Sequence, residues 1–363
     1  MKNTFGNSVA VTIIGESHGA YIGAVLDGMA PGINVSDDEI EAALTKRRPY
    51  GKISTSRTEA DKYQIISGVF NGKTTGTPIT IIIPNENTKS KDYNYGVARP
   101  SHADYTAYCK YHGFEDYRGG GHFSGRITAA LVAVGAITQS ALNAKGIKLG
   151  THIKTLAGIN DMPFSDMEKD IDLLNSKIFS VISEEAGEKM RSAAEEIAKE
   201  GDSVGGILET AIIGMPAGVG EPFFDSVESR ISHAIFSVPG VKGVLFGAGE
   251  NFAKIKGSVA NDGFFVDNGR IKTYTNNNGG INGGITNGEP IVFSTIVKPT
   301  PSIYKEQKTV NFIENENALL SISGRHDPCI VHRVRAVVDS ITAITICDLL
   351  AERYGTDYLM QEE

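Results

Sequence analysis

The stretch RPSHADYTAYCKYHGFEDYRGGGHFSGR, residues 99–126, organises the rest of this chain. It places three arginines, three histidines and a triple glycine within 28 residues of an acidic protein. The glycines, residues 119–121, precede a largely apolar run at 127–142 that predicts a helix. Because glycines before a helix leave backbone N–H groups bare, this stretch predicts an anion-binding site. His102, whose side chain titrates near neutral pH, predicts acid–base chemistry beside it.

Length and charge limit the classes of protein to consider. The 363 residues suffice for two ordinary domains or one large domain. The formal net charge of −8 argues against a general nucleic-acid binder, because phosphate backbones need a basic face. Local arginine clusters can still bind small anions, so we expect a small anionic ligand and no nucleic acid.

The cysteine and histidine patterns exclude other classes. The three cysteines, Cys109, Cys329 and Cys347, form no CxxC pair, and we expect reduced thiols in the cytoplasm. No histidine pair has HExxH or HxH spacing, so we expect no metal site. The N-terminal residues lack a basic segment followed by a long apolar one, and no stretch approaches eighteen uninterrupted apolar residues. We therefore expect neither a signal peptide nor a membrane partner.

Hydrophobic periodicity and turn residues predict a mixed fold. Strands are predicted at 8–14, 21–29, 63–70, 73–83, 147–156, 203–215, 241–246 and 291–297. Helices are predicted at 36–48, 101–111, 124–142, 184–199, 224–237 and 335–354, and a long Asn/Gly-rich loop at 275–288. Asn71-Gly72 is a strong hairpin signal, so part of the sheet should be antiparallel. Since no linker divides the chain, we expect one large α/β (α+β) domain, residues 1–363.

Three short motifs suggest other activities and are rejected. GESHG at 15–19 matches the G-x-S-x-G elbow of hydrolases, but the following run, 20–29, is typical of a strand where an elbow needs a helix. The near P-loop at 68–74 has three residues between its glycines, where four are required. The glycine pairs within 279–284 lack dinucleotide-binding spacing and no apolar helix follows them. A hydrolase is therefore a distant alternative.

Basic residues cluster in three places, and each cluster is either a solvated face with weak ion pairs or part of an anion site. Arginine binds carboxylate and phosphate bidentately, so converging clusters would suit a ligand that carries both. The clusters are Arg47, Arg48, Lys52 and Arg57; Arg99, Arg118 and Arg126; and Arg325, Arg333 and Arg335. The third cluster begins within the run GRHDPC at 324–329, where the Asp327 carboxylate close to Arg325 should stay ionised.

Nine motifs, taken together, resemble the chorismate synthase family. They are GESHG (15–19), RRPYG (47–51), RPSHADYT (99–106), DYRGGG (116–121), GDSVGG (201–206), VKGVLFG (241–247), GGINGG (279–284), KPTPS (298–302) and GRHDPC (324–329). They follow family order from end to end of the chain. The resemblance is therefore global and does not rest on a single pattern.

The resemblance implies a fold and an activity. The fold would be a β-α-β sandwich with antiparallel-rich sheets around helices. The activity would be that of a lyase of the shikimate pathway, in aromatic amino acid biosynthesis. It converts 5-enolpyruvylshikimate 3-phosphate to chorismate by 1,4-anti elimination of phosphate, with reduced FMN (FMNH2) that is not consumed overall. The family also implies a homotetramer, and the lack of an added NAD(P)H-binding region implies an external flavin reductase.

The resemblance also implies roles for single residues. The catalytic positions are His18, for proton balance at the flavin; His102, to protonate the departing phosphate; and Asp327, to accept a proton at flavin N5. Substrate positions are Ser17, Arg48, Arg99, Ser124, Arg126 and Arg325. Flavin positions are His122, Phe123, Ser124, Pro239, Gly240, Gly283, Lys298, Pro299, Thr300, Pro301, Ser302 and Arg325. Arg47 and Lys52 fall where relatives contact a nucleotide such as NADP, or an anion.

Some positions depart from the common family pattern. His122 and Phe123 replace an arginine and a serine, and Ser101 replaces a glycine. Lys52 replaces an arginine, and Pro239-Gly240 replaces Asn-Ala. Two other functions stay open at this point: a phosphate lyase acting on a different shikimate-like substrate, and a non-catalytic protein that binds an anion or a flavin.

Overall fold

Two antiparallel sheets enclose a layer of helices. The computed structural model describes residues 2–55, 60–86, 95–322 and 326–361. One sheet has the strand order β1-β2-β3-β7-β4 and the other β11-β16-β10-β8-β9. The predicted mixture of helices with antiparallel-rich sheets around them is confirmed.

The elements have the following bounds. The strands are β1 Thr4–Phe5, β2 Ala10–Gly15, β3 Tyr21–Asp27, β4 Gln64–Ser67, β5 Val69–Phe70, β6 Lys73–Thr74, β7 Ile79–Pro84, β8 Lys148–Leu156, β9 Ile159–Asn160, β10 Gly206–Ile213, β11 Val241–Phe246, β12 Phe264–Asp267, β13 Arg270–Thr273, β14 Ile281–Asn282, β15 Ile285–Thr286, β16 Ile291–Val297, β17 Gln307–Asn311 and β18 Glu316–Leu320. The helices are α1 Asp37–Arg47, α2 Asp104–Tyr111, α3 Thr128–Ala144, α4 Met167–Ser176, α5 Glu184–Lys199, α6 Val227–Ile235, α7 Gly257–Ala260 and α8 Val331–Tyr354.

The two long helices α3 and α8 pack against each other between the sheets, α3 on the first and α8 on the second. Gly135 of α3 permits this close approach, because a Cβ there would lie 2.3 Å from Cβ of Ser340 on α8. Apolar residues cover nearly the whole surface of α3, as expected for a helix buried on all sides.

The stretch Gly125–Ala144 is long and apolar enough to cross a membrane, but 83% of it is buried inside the protein. Burial of this kind is typical of a core helix, and such a helix passes the same test of length and hydropathy as a membrane span.

Alternation of side chains explains the core face of the first sheet. Ile22 lies opposite Ile83, and Leu26 lies opposite Ile79, across the antiparallel β3–β7 pair. All four side chains are fully buried against the helices. Since side chains alternate along a strand, this register turns every second residue of β3 and β7 toward the core.

The second sheet meets α8 partly through polar contacts. Thr151 of β8 and Thr210 of β10 are cross-strand partners whose hydroxyl oxygens lie 2.7 Å apart. The Thr151 hydroxyl also donates to Asp339 of α8 at 2.6 Å, and Arg335 pairs with the same carboxylate at 2.9 Å. These buried groups are therefore hydrogen-bonded, as burial of polar atoms requires.

Several predicted boundaries were wrong. The helix predicted from 335 begins at Val331, and the helix predicted from 101 begins at Asp104. The loop predicted at 275–288 contains the short β14–β15 hairpin. Helix α4 and the hairpins β12–β13 and β17–β18 were not predicted.

The turn at Asn71-Gly72 was predicted correctly, since both residues have positive φ and join β5 to β6. Gly68, also at positive φ, separates β4 from β5, so the predicted strand 63–70 is two short ones.

Candidate active site

The triple glycine adopts left-handed backbone throughout. Gly119, Gly120 and Gly121 have φ values of 64°, 88° and 52°, which other residues rarely adopt. They lie within a short 3-10 segment, Arg118–Phe123, and a second 3-10 turn separates them from α3. The glycines therefore do not form the N-terminus of α3. The predicted anion-binding site formed by glycines at the start of that helix is wrong in this respect.

The glycines instead lie against two histidines from distant parts of the chain. A Cβ placed on Gly119 would lie 2.5 Å from Cδ2 of His18 and 2.7 Å from Oγ of Ser17. A Cβ on Gly120 would lie 3.0 Å from Cε1 of His102. Absence of side chains at 119 and 120 is what allows both imidazoles to approach the same short segment.

His102 is held by an aspartate two residues along the chain. Its Nδ1 lies 2.8 Å from Oδ1 of Asp104, and Arg99 binds the same carboxylate through Nε at 2.8 Å and Nη2 at 2.6 Å. Burial by itself would raise the pKa of Asp104, but hydrogen bonds from Arg99 and His102 hold it well below its usual range. The carboxylate is therefore ionised at every physiological pH.

The loop that carries His18 is bonded to the glycine segment. The backbone N–H of Ser17 donates to the carbonyl of Gly121 at 3.1 Å, and its hydroxyl donates to the carbonyl of Arg118 at 3.2 Å. Nδ1 of His122 lies 2.8 Å from the Gly15 carbonyl oxygen, which can only accept, so Nδ1 carries the proton. His122 thus fastens the two segments together.

Asp116 forms an ion pair beside His18. Arg118 donates to its two carboxylate oxygens from Nε and Nη2, each at 2.8 Å. The hydrogen bond from the Arg118 side chain lowers the pKa of Asp116, and the charge of His18 lowers it further. Each of the two site histidines therefore has an ionised aspartate in its neighbourhood.

Three arginines of the predicted site converge on one buried aspartate. Asp61 is 4% exposed and forms ion pairs with Arg126, with Arg47 at 3.7 Å and with Arg48 at 4.0 Å. Arg47 also donates to the Gly125 carbonyl at 2.6 Å, which attaches α1 to the start of α3. The cluster of Asp61 with these arginines is held together by ion pairs within the chain.

Asp327 is linked to that cluster. Its Oδ1 accepts a hydrogen bond from the Thr55 backbone N–H at 2.9 Å, and its Oδ2 pairs with Arg333 at 2.6 Å. Nε of Arg333 donates to the carbonyl of Arg47 at 2.9 Å. One continuous series of contacts therefore joins Asp327 to the arginines around Asp61.

Part of the predicted flavin set is brought to the His102 loop. The backbone N–H of Lys298 donates to the Gly240 carbonyl at 2.9 Å, and its Nζ donates to the Ser101 carbonyl at 2.6 Å. The Ser203 hydroxyl donates to the Thr300 carbonyl at 2.6 Å. The segment from Lys298 to Ser302 therefore lies close to the loop that presents His102.

Gly283 lies elsewhere in the fold. It forms the turn between β14 and β15, beside the first residues of α6, whereas Gly240 follows the last residue of that helix. A Cβ on Gly283 would meet no atom within 4 Å, and no hydrogen bond within the described part of the chain joins Gly283 to the other predicted flavin positions.

The remaining predicted positions lie as follows. Lys52 is exposed in a 3-10 turn, and Ser124 caps the turn Gly125–Ile127 by accepting from the Arg126 N–H. The Phe123 ring is 6.0 Å from that of Tyr111. Arg325 lies outside the described residues.

A cleft of about 700 Å³ adjoins these groups. Its lining includes Arg99, His102 and Gly120 together with His122, Phe123 and His326, and an aromatic wall contributed by Tyr95, Tyr111, Phe114, Tyr117 and Phe312. Burial and the charge of Arg99 lower the pKa of His326, and its Nε2 is buried with no hydrogen-bond partner among the described residues. A polar ligand could supply that bond.

The sequence interpretation missed four acidic or basic members of the site. Asp61, Asp104, Asp116 and His326 were not assigned roles, although each lies close to an assigned residue. The H-x-D spacing of His102 and Asp104 was a readable signal, whereas nothing near Asp61 in the chain indicates its arginine partners. Within residues 2–55, 60–86, 95–322 and 326–361, no group of three or more His, Cys, Asp or Glu side chains is placed to hold a metal ion.

Comparison with known proteins gives a consistent result. Residues 9–351 match the family model described as "Chorismate synthase". The chain is 45% identical over 350 residues to the chorismate synthase of Chitinophaga pinensis, with 96% of each chain covered. It is 42% identical over 350 residues to that of Thermococcus gammatolerans, with 96% of this chain and 97% of the other covered. A solved structure titled "Crystal Structure of Chorismate Synthase" matches with a TM-score of 0.75 at 27% identity, over 96% of this chain and 94% of the other.

Proposed function

The chain belongs to the chorismate synthase family of lyases, and we propose that it converts 5-enolpyruvylshikimate 3-phosphate into chorismate and phosphate with the help of reduced FMN. The observation that carries this proposal is the approach of His18 and His102 to adjacent glycines of one segment. Elimination of phosphate needs proton transfer at two places and no nucleophile, and two imidazoles without a neighbouring activated serine or cysteine suit that requirement.

The charges beside the cleft suit an anionic substrate. Arg99 lines the cleft with a guanidinium fixed by Asp104, and His102 lies next to it. Arg48 and Arg126 lie around Asp61 rather than in solvent, so substrate carboxylates would share these guanidiniums with that aspartate. An arginine side chain that an aspartate already holds in place loses less conformational entropy when it binds an anion.

The residues at the flavin positions also suit an anionic cofactor. Burial and the nearby Lys242 charge lower the pKa of Lys298, and within the described part of the chain neither lysine has an ion-pair partner. Within the described residues, the Thr300 hydroxyl and Nε2 of His326 are buried without a hydrogen-bond partner. Unpaired buried groups of this kind cost free energy until a ligand satisfies them, so Thr300 and His326 support a polar cofactor here, and the charge of Lys298 suits its phosphate.

The proposed mechanism assigns proton handling to the protein. When bound, reduced FMN would supply transient electron density while the phosphate leaves and would take up the hydrogen lost from the substrate ring. His102 would protonate the departing phosphate, His18 would maintain the proton balance at the flavin, and Asp327 would accept a proton at flavin N5. Arg99 compensates the charge that develops on the phosphate oxygens.

Three further proposals rest on the family resemblance. The enzyme is a cytoplasmic homotetramer, and it receives reduced flavin from a separate reductase. Analytical ultracentrifugation of the purified protein tests the tetramer, and assay with NADPH and oxidised FMN alone tests the need for a reductase.

Substrate selectivity tests the proposed function. Under anaerobic conditions with reduced FMN, we expect phosphate release from 5-enolpyruvylshikimate 3-phosphate and none from shikimate 3-phosphate, which lacks the enolpyruvyl ether. Release from shikimate 3-phosphate alone would favour a lyase for another substrate. Release from neither compound, with reduced flavin bound, would favour a non-catalytic binding protein.

A further inference from the structure

We infer that Asp104 is a positioning residue that fixes both Arg99 and His102 in the proposed active site; this inference rests on the function proposed above. Asp104 is the first residue of α2. Its carboxylate contacts four nitrogen atoms of the preceding turn, three from Arg99 and one from His102. Oδ2 accepts from the Arg99 backbone N–H at 2.9 Å and from its Nε at 2.8 Å. Oδ1 accepts from Arg99 Nη2 at 2.6 Å and lies 2.8 Å from Nδ1 of His102.

These contacts determine the tautomer of His102. Two groups reach its Nδ1: the Asp104 carboxylate at 2.8 Å, and Nη2 of Arg99 at 3.1 Å. An ionised carboxylate can only accept and a guanidinium can only donate, so the two contacts require opposite protonation of Nδ1. The Asp104 contact is the shorter of the two, and an unprotonated Nδ1 would place two acceptor atoms 2.8 Å apart, so the proton belongs on Nδ1.

The consequence is a defined role for Nε2. With Nδ1–H directed at Asp104, Nε2 of neutral His102 is the free lone pair, and in the imidazolium it is the available proton donor. Nε2 lies on the Gly120 side, since a Cβ on that glycine would be 3.3 Å from it. Asp104 thereby aims the reactive nitrogen at the glycine segment and aligns Arg99 next to it.

The charges around His102 come from several elements. Asp104 favours the imidazolium, whereas Arg99 disfavours it. The other titratable groups that line the same cleft are Glu16, Tyr95, Tyr111, Glu115, Asp116, Tyr117, His122 and His326, and Lys298 reaches the Ser101 carbonyl next to His102. Neutralising Asp104 removes the one charge that is in direct contact with both the His102 imidazole and the Arg99 guanidinium.

The variant D104N tests this role by kinetics. We expect kcat to fall, because His102 loses the group that orients it, and KM to rise, because Arg99 loses the group that aligns it. The loss in kcat/KM should be at least about tenfold, but smaller than the ~10²–10⁴-fold loss typical of removing an acid–base group itself. D104E, which keeps the charge, should recover part of the activity. D166N is the matched control, because Asp166 also begins a helix and pairs with a basic side chain, Lys169, outside the site.

A measurement on the unliganded protein tests the same point without activity. In ¹⁵N-histidine-labelled protein, with His102 assigned by comparison with H102Q, we expect the Nδ1–H tautomer at high pH. An Nε2–H tautomer, or a kcat/KM of D104N within threefold of the wild-type value, would overturn the inference. Because the tautomer is read without substrate or flavin, a failure to form chorismate would count against the proposed function alone.

Discussion

Gly119 lies so close to His18 that a Cβ on the glycine would be 2.5 Å from the imidazole Cδ2. The φ of Gly119 is 64°, a conformation that L-residues rarely adopt. Backbone conformation and the space left by a missing side chain therefore act together to position a histidine of the proposed site.

The substitution G119A should displace His18 and reduce turnover about 100-fold, since a shift near 1 Å can cost that much. G158A is the matched control, because Gly158 has φ of 77° and a Cβ there would meet nothing within 4 Å. Steady-state turnover of both variants, with far-ultraviolet circular dichroism to verify folding, checks the prediction. Equal losses in the two variants would show that backbone strain alone matters.

Removal of either imidazole should impair proton transfer. H18A and H102A should each lower kcat by about 10²–10⁴-fold, the usual contribution of acid–base catalysis. H112N serves as the control, because His112 ends α2 in a left-handed conformation that asparagine tolerates and lies outside the cleft lining. Chorismate formation at several pH values measures the effect. Wild-type kcat in H102A would remove His102 from its proposed role.

The buried cluster around Asp61 should govern stability. D61N leaves Arg126 and Arg47 without their shared counter-charge, and breaking a buried pair in this way typically costs about 3–5 kcal/mol. D267N removes an exposed partner of Lys272 and should cost less than about 1 kcal/mol. Urea unfolding gives both free energies. A D61N loss no larger than that of D267N would show that the cluster is not stabilising.

A second buried cluster should make stability depend on pH. His152 is fully buried, with Nδ1 2.8 Å from Asp161 and Nε2 3.2 Å from Glu209. Lys154, which lies on the same strand as His152, also pairs with Glu209. Burial alone would lower the pKa of His152, but hydrogen bonds to the two carboxylates raise it above 6.5. The stabilisation that protonated His152 contributes to the folded state is therefore complete below pH 6.5 and is lost as pH rises through the raised pKa.

Asp161 and Glu209 determine how low the pH can fall before this cluster stops stabilising the protein. Hydrogen bonds from His152 outweigh burial and lower the pKa values of Asp161 and Glu209, so their contribution is lost only as pH falls below their usual range. H152Q should lose about 3 kcal/mol near pH 6, and less at higher pH. Unfolding free energies of both proteins from pH 5 to 9 check this, and a pH-independent difference would contradict a cationic His152.

Local sequence patterns predicted the elements whose side chains follow one clear period. β2, β3 and β16 are short apolar runs bounded by turns, and each is a strand in the structure. The capping box at Ser36 correctly marked the start of α1, where the Ser36 hydroxyl accepts from the Glu39 N–H. Residues 101–103 were mistaken for the first turn of a helix because composition does not reveal the positive φ of Ser101.

The spatial relations of the site were beyond local patterns. The family motifs identified His18 and His102, but the contact of His18 with Gly119 joins segments about 100 residues apart, which no local pattern reveals. The ion pairs of Asp61 likewise join residues from three separate segments of the chain, and no short-range signal marks them. The roles of the site residues and the one-domain organisation of residues 1–363 stay predictions.

The most direct test of the proposed function is the stoichiometry of the anaerobic reaction. Purified protein with substoichiometric reduced FMN and excess 5-enolpyruvylshikimate 3-phosphate should form many equivalents of chorismate per flavin, with one phosphate released for each. The flavin should be fully reduced when the substrate is exhausted, as its absorbance near 450 nm will show. No chorismate, or chorismate limited to one equivalent per flavin with the flavin left oxidised, would contradict the account.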